Sequence, residues 1–497
     1  MAKVVIIGGG VAGLSAGIYS LLLGHRATVI ERGATAGGNL TGWRREGYEI
    51  DNCIHWLTGT NPGSKTYRVW NELFGISETE IVKNETLYTY EEDGVRLSLH
   101  RNLDKIREDM LKVSPEDEKE TENFIAAIRA VSLVTDTGEG KGKTTDRLAA
   151  IRRLLRYSSL SVDGLAGRFK NRVIRGFLRS FITEHFASLA LIFVFAHFTS
   201  ANADLPRGGS INMARRMCER FLSLSGELRL KSEAVKINAD DGVASSLTLS
   251  GGEIIEADYI VITADPKTVF GRILAEKMPT NLSNRYHNPS LKRFSSFQAA
   301  FAVDSPTLPF QGDFCFPLSR RDRLKLGTEY LTLREFSHER SFSPRGKNLI
   351  QIMLFLDEEA SMRFIRLREQ SPEGYKRKKR QLCDIIEGAI CDKFPELKSK
   401  LRLIDSWSPA TYKRYIGSEI GSYMSFLFKE GFIPTTLKIK SKTAKNIIWA
   451  TQWQTPPGGL PIAAERGRRA AEKIARLEKA SQGKWSLGKI KRADVKA

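Results

Sequence analysis

The chain has 497 residues, 41% hydrophobic and 27% charged, which suits a globular protein with room for two or three domains and a sizeable core. Its 77 Lys and Arg against 57 Asp and Glu give a formal net charge of +20, so either an anionic surface is its partner or the excess serves solubility. Five widely spaced cysteines without a CxxC pair exclude a disulfide framework and a zinc site, and they point to a reducing compartment.

Residues 3–7, KVVII, read as a buried parallel strand. They lead into Gly8, Gly9, Gly10, Val11, Ala12 and Gly13, a G-x-G-x-x-G turn that opens a helix. Gly8 allows the tight turn, Gly10 lets the backbone approach a pyrophosphate, and Gly13 lets the helix pack closely on the strand. A second strand, ATVIE, ends at Glu31, 18 residues after Gly13. A carboxylate there accepts hydrogen bonds from ribose hydroxyls and disfavours the 2′-phosphate of NADP. The glycine pattern alone is weak evidence. Its place between a strand and a helix, with a strand-terminal acid beyond, makes it a dinucleotide site.

An NAD domain would continue into its next helix and strand. Here Glu31 and Arg32 are followed instead by a second glycine turn, Gly37-Gly38, then Asn39, Gly47-Tyr48 and the segment DNCIHW at residues 51–56. Further on come Pro206-Arg207-Gly208-Gly209-Ser210 before the helix-like INMARRMCERFLSL, then LRLKSEAVKI and GEIIEADYIVITADP. Near the far end a strand, NIIWA, runs into TQWQTPPGGLPIA at residues 451–463.

These blocks together resemble the FAD-dependent amine oxidase superfamily. The TPPGGLP turn is similar to that of its phytoene desaturase, carotenoid isomerase and retinol saturase branch. The resemblance implies an α/β fold: a Rossmann-like FAD-binding domain, with a parallel sheet and a smaller antiparallel sheet, plus a mixed α+β substrate domain with a helical, membrane-facing cap. FAD would be held by Gly8, Gly10, Val11, Ala12, Gly13, Glu31, Arg32, Gly37, Gly38 and Asn39. Val235 would place its backbone against the adenine beside Ala264, and Gly458, Gly459, Leu460 and Pro461 would face the flavin ring with a helix N-terminus. His55 lies in the segment that approaches the flavin, which makes it the candidate catalytic group. Two positions depart from the pattern. Asn39 stands where the family often has arginine, and Cys53 where it often has glycine.

The discontinuous FAD-binding domain is expected over residues 1–60, 205–270 and 440–480, and the substrate domain over 61–204 and 271–439. A basic, irregular tail follows at 481–497. Residues 151–180 carry eight Lys or Arg and the single acid Asp163, interleaved with Leu154, Leu155, Phe169, Val173, Ile174, Phe177 and Leu178. They precede FASLALIFVFAHF at 186–198. That pairing reads either as a face on anionic lipid or as a cap over the substrate pocket. The apolar run falls short of the roughly 18 residues of a spanning helix, and no secretory pattern opens the chain, so a cytoplasmic location, peripheral on the membrane, is expected. Residues 295–304 and 348–357 read as strands with one apolar and one polar face.

The activity implied is hydride transfer between flavin N5 and a carbon of a lipophilic polyene. Oxidation of amines is the alternative, which Trp449 and Trp453 would favour as a pair across the flavin. A prenyl-binding escort protein without flavin is the non-enzymatic one. No metal site or nucleic-acid partner is expected. Trp56, Tyr415 and Tyr423 are candidate pocket residues.

Overall fold

The computed structural model describes residues 1–135, 144–182, 186–274, 276–432 and 434–493, the side chains of 144 and 481–493 excepted. Its first unit is built on a five-stranded parallel sheet. The order is Glu227–Arg229, Arg26–Ile30, Lys3–Ile7, Tyr259–Ile262 and Ile447–Trp449. Strand alternation sends Val4 and Ile6 into one core and Val5 and Ile7 into another. Both faces are covered, which is why the strand is apolar without interruption. The three-stranded antiparallel sheet Ala234–Asp240, Val243–Leu249 and Ile254–Glu256 supplies the second core.

The helices Val11–Leu22 and Leu460–Ala493 pack against each other in the first core. Contact is at backbone distance. A Cβ on Gly467 would lie 2.3 Å from the Ala12 carbonyl oxygen and 2.7 Å from the Ala16 nitrogen. The late helix continues to Ala493, into the segment expected as an irregular tail. Its Ala, Lys, Arg and Leu content favours helix. The last four residues of that expectation, 494–497, lie outside the described residues.

The second unit is a seven-stranded sheet ordered Leu401–Trp407, Phe294–Val303, Asn348–Asp357, Tyr330–Glu335, Asp313–Pro317, Thr86–Glu92 and Val95–His100. The strand Phe294–Val303 is buried at every residue, not on one face alone. Helices Glu358–Gln370 and Pro372–Lys393 cover one side, and Tyr48, Ile50 and Tyr412 pack with Trp407 on the other.

Helices Glu118–Val134, Thr144–Ser158, Arg172–Phe181 and Ser188–Thr199 form the cap. Leu154, Phe169, Val173, Ile174, Phe177 and Leu178 turn into its core beside Phe124 and Phe195 rather than outward. An amphipathic sequence fixes which face is apolar but not what covers it, and here the neighbouring helices do so. Leu155 stays outside. With Leu148 and Ile151 it forms an exposed stripe, 60%, 55% and 46% accessible respectively. No helix among the described residues is long and apolar enough to cross a membrane.

Candidate active site

One cavity of about 1790 Å³ is walled by residues of both sheets and the cap. Ordinary ligand pockets hold about 300–1,000 Å³. This one has room for an extended cofactor and a second molecule.

The N-terminal glycine turn forms part of the wall through Gly8, Gly10, Val11 and Ala12. Gly8 has φ +104°, and a Cβ there would sit 2.6 Å from Thr263 Oγ1. Gly13 is behind the wall, where a Cβ would overlap the Gly8 carbonyl oxygen at 1.8 Å. This is the close helix–strand contact its spacing predicts. Glu31 ties the turn together: the Gly9 amide donates to Oε2 at 2.7 Å and the Gly33 amide to Oε1 at 2.6 Å. Each oxygen keeps a further lone pair for a ligand hydroxyl.

The second glycine turn lies directly against the first. Gly10 and Gly37 form an isolated parallel bridge, and the Gly37 amide donates to the Gly9 carbonyl at 2.8 Å. A Cβ on Gly38 would come within 3.1 Å of Gly10 Cα. Arg32 and Asn39 line the cavity beside them, but both are tethered elsewhere. Arg32 donates to the Arg414 carbonyl at 2.9 Å, and Asn39 Nδ2 donates to the Tyr423 carbonyl at 2.9 Å. Asn39 Oδ1 is buried without a partner among the described residues. Val235 and Ala264 also line the cavity.

The far end of the chain reaches the same space. Gly458, Gly459, Leu460 and Pro461 are part of the wall. Gln452 Oε1 accepts from the Gly459 amide at 2.9 Å, and the Thr455 carbonyl accepts from the Gly458 amide at 2.9 Å. With φ of 82° and 90°, the two glycines take a backbone that side chains resist, and the helix starts directly after them. Two helix N-termini, at Val11 and Leu460, therefore open on one cavity. Their first N–H groups have no partner within the helix and favour negative charge.

His55 lines the cavity on a segment fixed by Asp51, which is 3% exposed. Asp51 Oδ1 accepts from the Cys53 amide at 2.9 Å, the Ile54 amide at 3.2 Å and the Ser210 hydroxyl at 2.5 Å. Its Oδ2 accepts from the Ser210 amide at 2.7 Å. The Arg334 guanidinium donates to the Ile54 carbonyl from the seven-stranded sheet. Burial, and secondarily the Arg334 charge, hold the His55 imidazole well below its usual range, so it is neutral. Burial pushes the Cys53 thiol up to about 12, so it remains protonated.

Trp56, Tyr415, Tyr423 and Trp453 also line the cavity. Trp449 does not. It stacks on Phe270 at 5.0 Å, while Trp453 stacks on Tyr286 at 5.8 Å. The two tryptophans thus belong to separate clusters and do not face each other across the cavity. The sequence reading missed Asp51 as the organiser of its own quoted segment, and also Gln452, Ser210, Arg334, Asp313 and Gln351. Asp51, Ser210, Gln351 and Gln452 had a local signal, lying inside segments already singled out; Arg334 and Asp313 had none.

Adjoining glycine turns with no side chain between them, a strand-terminal carboxylate, an orphaned amide oxygen and paired helix N-termini fit an extended dinucleotide. The fold and site define a dinucleotide-binding protein. The family described as flavin containing amine oxidoreductase matches residues 11–475. Prolycopene isomerase of Daucus carota is 20% identical over 446 residues, covering 84% of this chain and 71% of that protein. All-trans-zeta-carotene desaturase of Myxococcus xanthus is 22% identical over 281 residues, 53% of this chain and 52% of that protein. Among solved structures, an oxidoreductase of Methanosarcina mazei superposes with a TM-score of 0.60 at 14% identity, covering 95% of this chain and 100% of its own. A putrescine oxidase variant gives 0.60 at 14% identity, covering 96% and 99%. The chain belongs to the flavin-containing amine oxidoreductase family. It is an FAD-dependent enzyme, not the flavin-free escort protein the sequence alone left open.

Proposed function

We propose that the enzyme acts on carbon–carbon bonds of a lipophilic polyene, as a desaturase, saturase or isomerase. One observation carries this reading. The cavity that meets both helix N-termini continues into an apolar chamber, whose wall includes Trp56, Phe181, Phe186, Phe193, Val194 and Phe428. Such a wall binds a hydrocarbon chain and excludes water. The relatives named for prolycopene and zeta-carotene support the same substrate class.

Segments 1–60, 205–270 and 440–480 would hold the cofactor, and 61–204 with 271–439 the substrate. FAD, when bound, supplies a two-electron acceptor or donor. The glycine turns and the Val11 helix would carry its pyrophosphate, and Glu31 its ribose. Val235 would flank the adenine, and the turn from Gly458 to Pro461 the flavin ring. Neutral His55, fixed through Asp51, would be a polar neighbour of the ring. Helix Thr144–Ser158 would rest on anionic lipid through Leu148, Ile151 and Leu155, with Arg152 and Arg156 beside them.

The test uses the purified holoenzyme, whose released cofactor should be FAD. It is incubated with a quinone as electron acceptor and prolycopene, all-trans-zeta-carotene or putrescine, and products are separated by chromatography. A new polyene isomer or desaturation state is the expected result. Turnover of putrescine with neither polyene changed would replace this reading with amine oxidation.

A further inference from the structure

The seven-stranded sheet sets a polar row against the cavity. Asp313, Arg334 and Gln351 stand on three adjacent strands, Asp313–Pro317, Tyr330–Glu335 and Asn348–Asp357. All three line the cavity, and Arg334 is directly opposite Gln351 across the ladder. Alternation explains the facing. Phe314, Phe316, Leu331 and Leu333 turn into the core under the sheet's own helices, so Asp313, Thr332 and Arg334 turn the other way.

Within this row the charged groups are in different situations. Arg334 is anchored to the His55 segment through the Ile54 carbonyl. Glu335, the next residue along the strand and not part of the cavity wall, is engaged at both oxygens: its Oε1 accepts from the Gly312 amide at 3.0 Å and its Oε2 from the Ser337 amide at 2.5 Å. Asp313 feels the attraction of Arg334 and the repulsion of Glu335, but no hydrogen bond or ion pair closes on its carboxylate among the described residues. A carboxyl on a cavity wall with its bonding capacity unspent is placed for a ligand.

We propose that Asp313 is a catalytic residue of this site, exchanging a proton with the substrate carbon next to the one that exchanges hydride with FAD. This rests on the polyene reading. In the desaturating direction one C–H bond loses hydride to FAD, which is thereby reduced. The neighbouring C–H bond breaks, its electron pair becomes the new π bond, and its proton passes to the Asp313 carboxylate. Saturation runs the same steps backwards, with reduced FAD as the hydride source and the carboxylic acid as the proton source. Burial lifts the Asp313 carboxyl to about 7, with Arg334 partly opposing, so both forms are populated near neutrality. That is where a group serving either direction works best.

Several titratable groups on the surrounding elements keep one charge state near neutrality. Tyr88, opposite it on strand Thr86–Glu92, and Cys315, two residues along its own strand, are held protonated by burial. His55 is held neutral. Arg179 of helix Arg172–Phe181 lines the same cavity and pairs with Asp163 at 2.5 Å.

The experiment has two arms on holoenzyme. Without substrate, infrared difference spectra across pH should show a protonated-carboxyl band that titrates near 7 and disappears in Asp313→Asn. Its absence from the wild type, or persistence in the variant, overturns the proposal whatever the substrate is. In the second arm, prolycopene and all-trans-zeta-carotene are incubated in deuterated water and the recovered polyenes examined for deuterium. Asp313→Asn should lower incorporation at least about a hundredfold with FAD content and polyene affinity unchanged, and Asp313→Glu should restore part of it. Equal incorporation in wild type and Asp313→Asn overturns the assignment. If wild type binds and converts neither polyene while the carboxyl band behaves as expected, it is the polyene reading that fails. The proton-exchanging carboxyl then stands for another substrate.

Discussion

The Ser15 hydroxyl donates to the Ala464 carbonyl at 2.7 Å, across 449 positions of sequence. This bond pins the first helix to the last beside the point where Gly467 lets their backbones touch. Gly467→Leu would drive a side chain into the Ala12 carbonyl, and no rotamer relieves a Cβ clash with backbone. Overpacking costs about 1–3 kcal/mol, and here it also spreads the two helix N-termini that open on the cavity. The variant should therefore lose bound flavin on gel filtration and unfold at lower temperature. Full retention of the yellow cofactor would show that the cradle does not depend on this contact.

Asp51 gathers four donors around one buried carboxylate. In Asp51→Ala the Cys53 amide and both Ser210 donors lose this acceptor, the Ile54 amide keeps only the Ser210 hydroxyl, and His55 loses its fixed position. A penalty of about 3 kcal/mol is expected, the upper range for stranding buried partners, read as a lower denaturant midpoint. Activity measured well below that midpoint should fall further than the unfolded fraction explains.

The glycine turns and Glu31 could be read directly from the sequence because their physics is local: a tight turn, a close approach and a strand-terminal acid are each set by neighbouring residues. Asp313 and Arg334 could not be read in this way. They become neighbours of one cavity only through pairing of two strands and through the choice of which face the helices cover. Cap residues such as Phe177 and Leu178 show the same limit. Their amphipathic spacing was visible, but burial under Phe124 and Phe195 depends on helices elsewhere in the chain.

Acid sensitivity follows from the histidines. Burial depresses His25, His55, His100 and His338, the last to about 4. Above the unfolded value of about 6.5 they are neutral in both states and stability is unaffected. Below it the unfolded chain binds protons that the folded chain refuses, so stability falls as pH drops from about 6.5 towards 4. Asp265, Asp313 and Glu339, raised by burial, act in the opposite sense. His338→Gln should flatten the decline in melting temperature between about pH 7.5 and pH 5. An unchanged slope would remove His338 from the account.

The exposed stripe Leu148, Ile151 and Leu155 gives a separate test. Replacing all three by serine should reduce sedimentation with vesicles of phosphatidylglycerol and phosphatidylcholine by at least about tenfold, since each buried aliphatic side chain contributes about 1.5–3 kcal/mol. Flavin content should not change, because none of the three lines the cavity. Equal sedimentation of wild type and variant, or none by either, would exclude this face as the lipid contact.

The strand Ile447–Trp449 completes the parallel sheet beside Tyr259–Ile262, and the helix that follows opens on the cavity. A ribosome making this protein delivers those pieces only after more than 440 residues have emerged. Until then the nascent sheet keeps an open edge, and the glycine turn made at the start has nothing to close against. On the proposed assignment flavin uptake is a late step of biogenesis, and a chain shortened before residue 447 should emerge colourless however well its first domain has begun to fold.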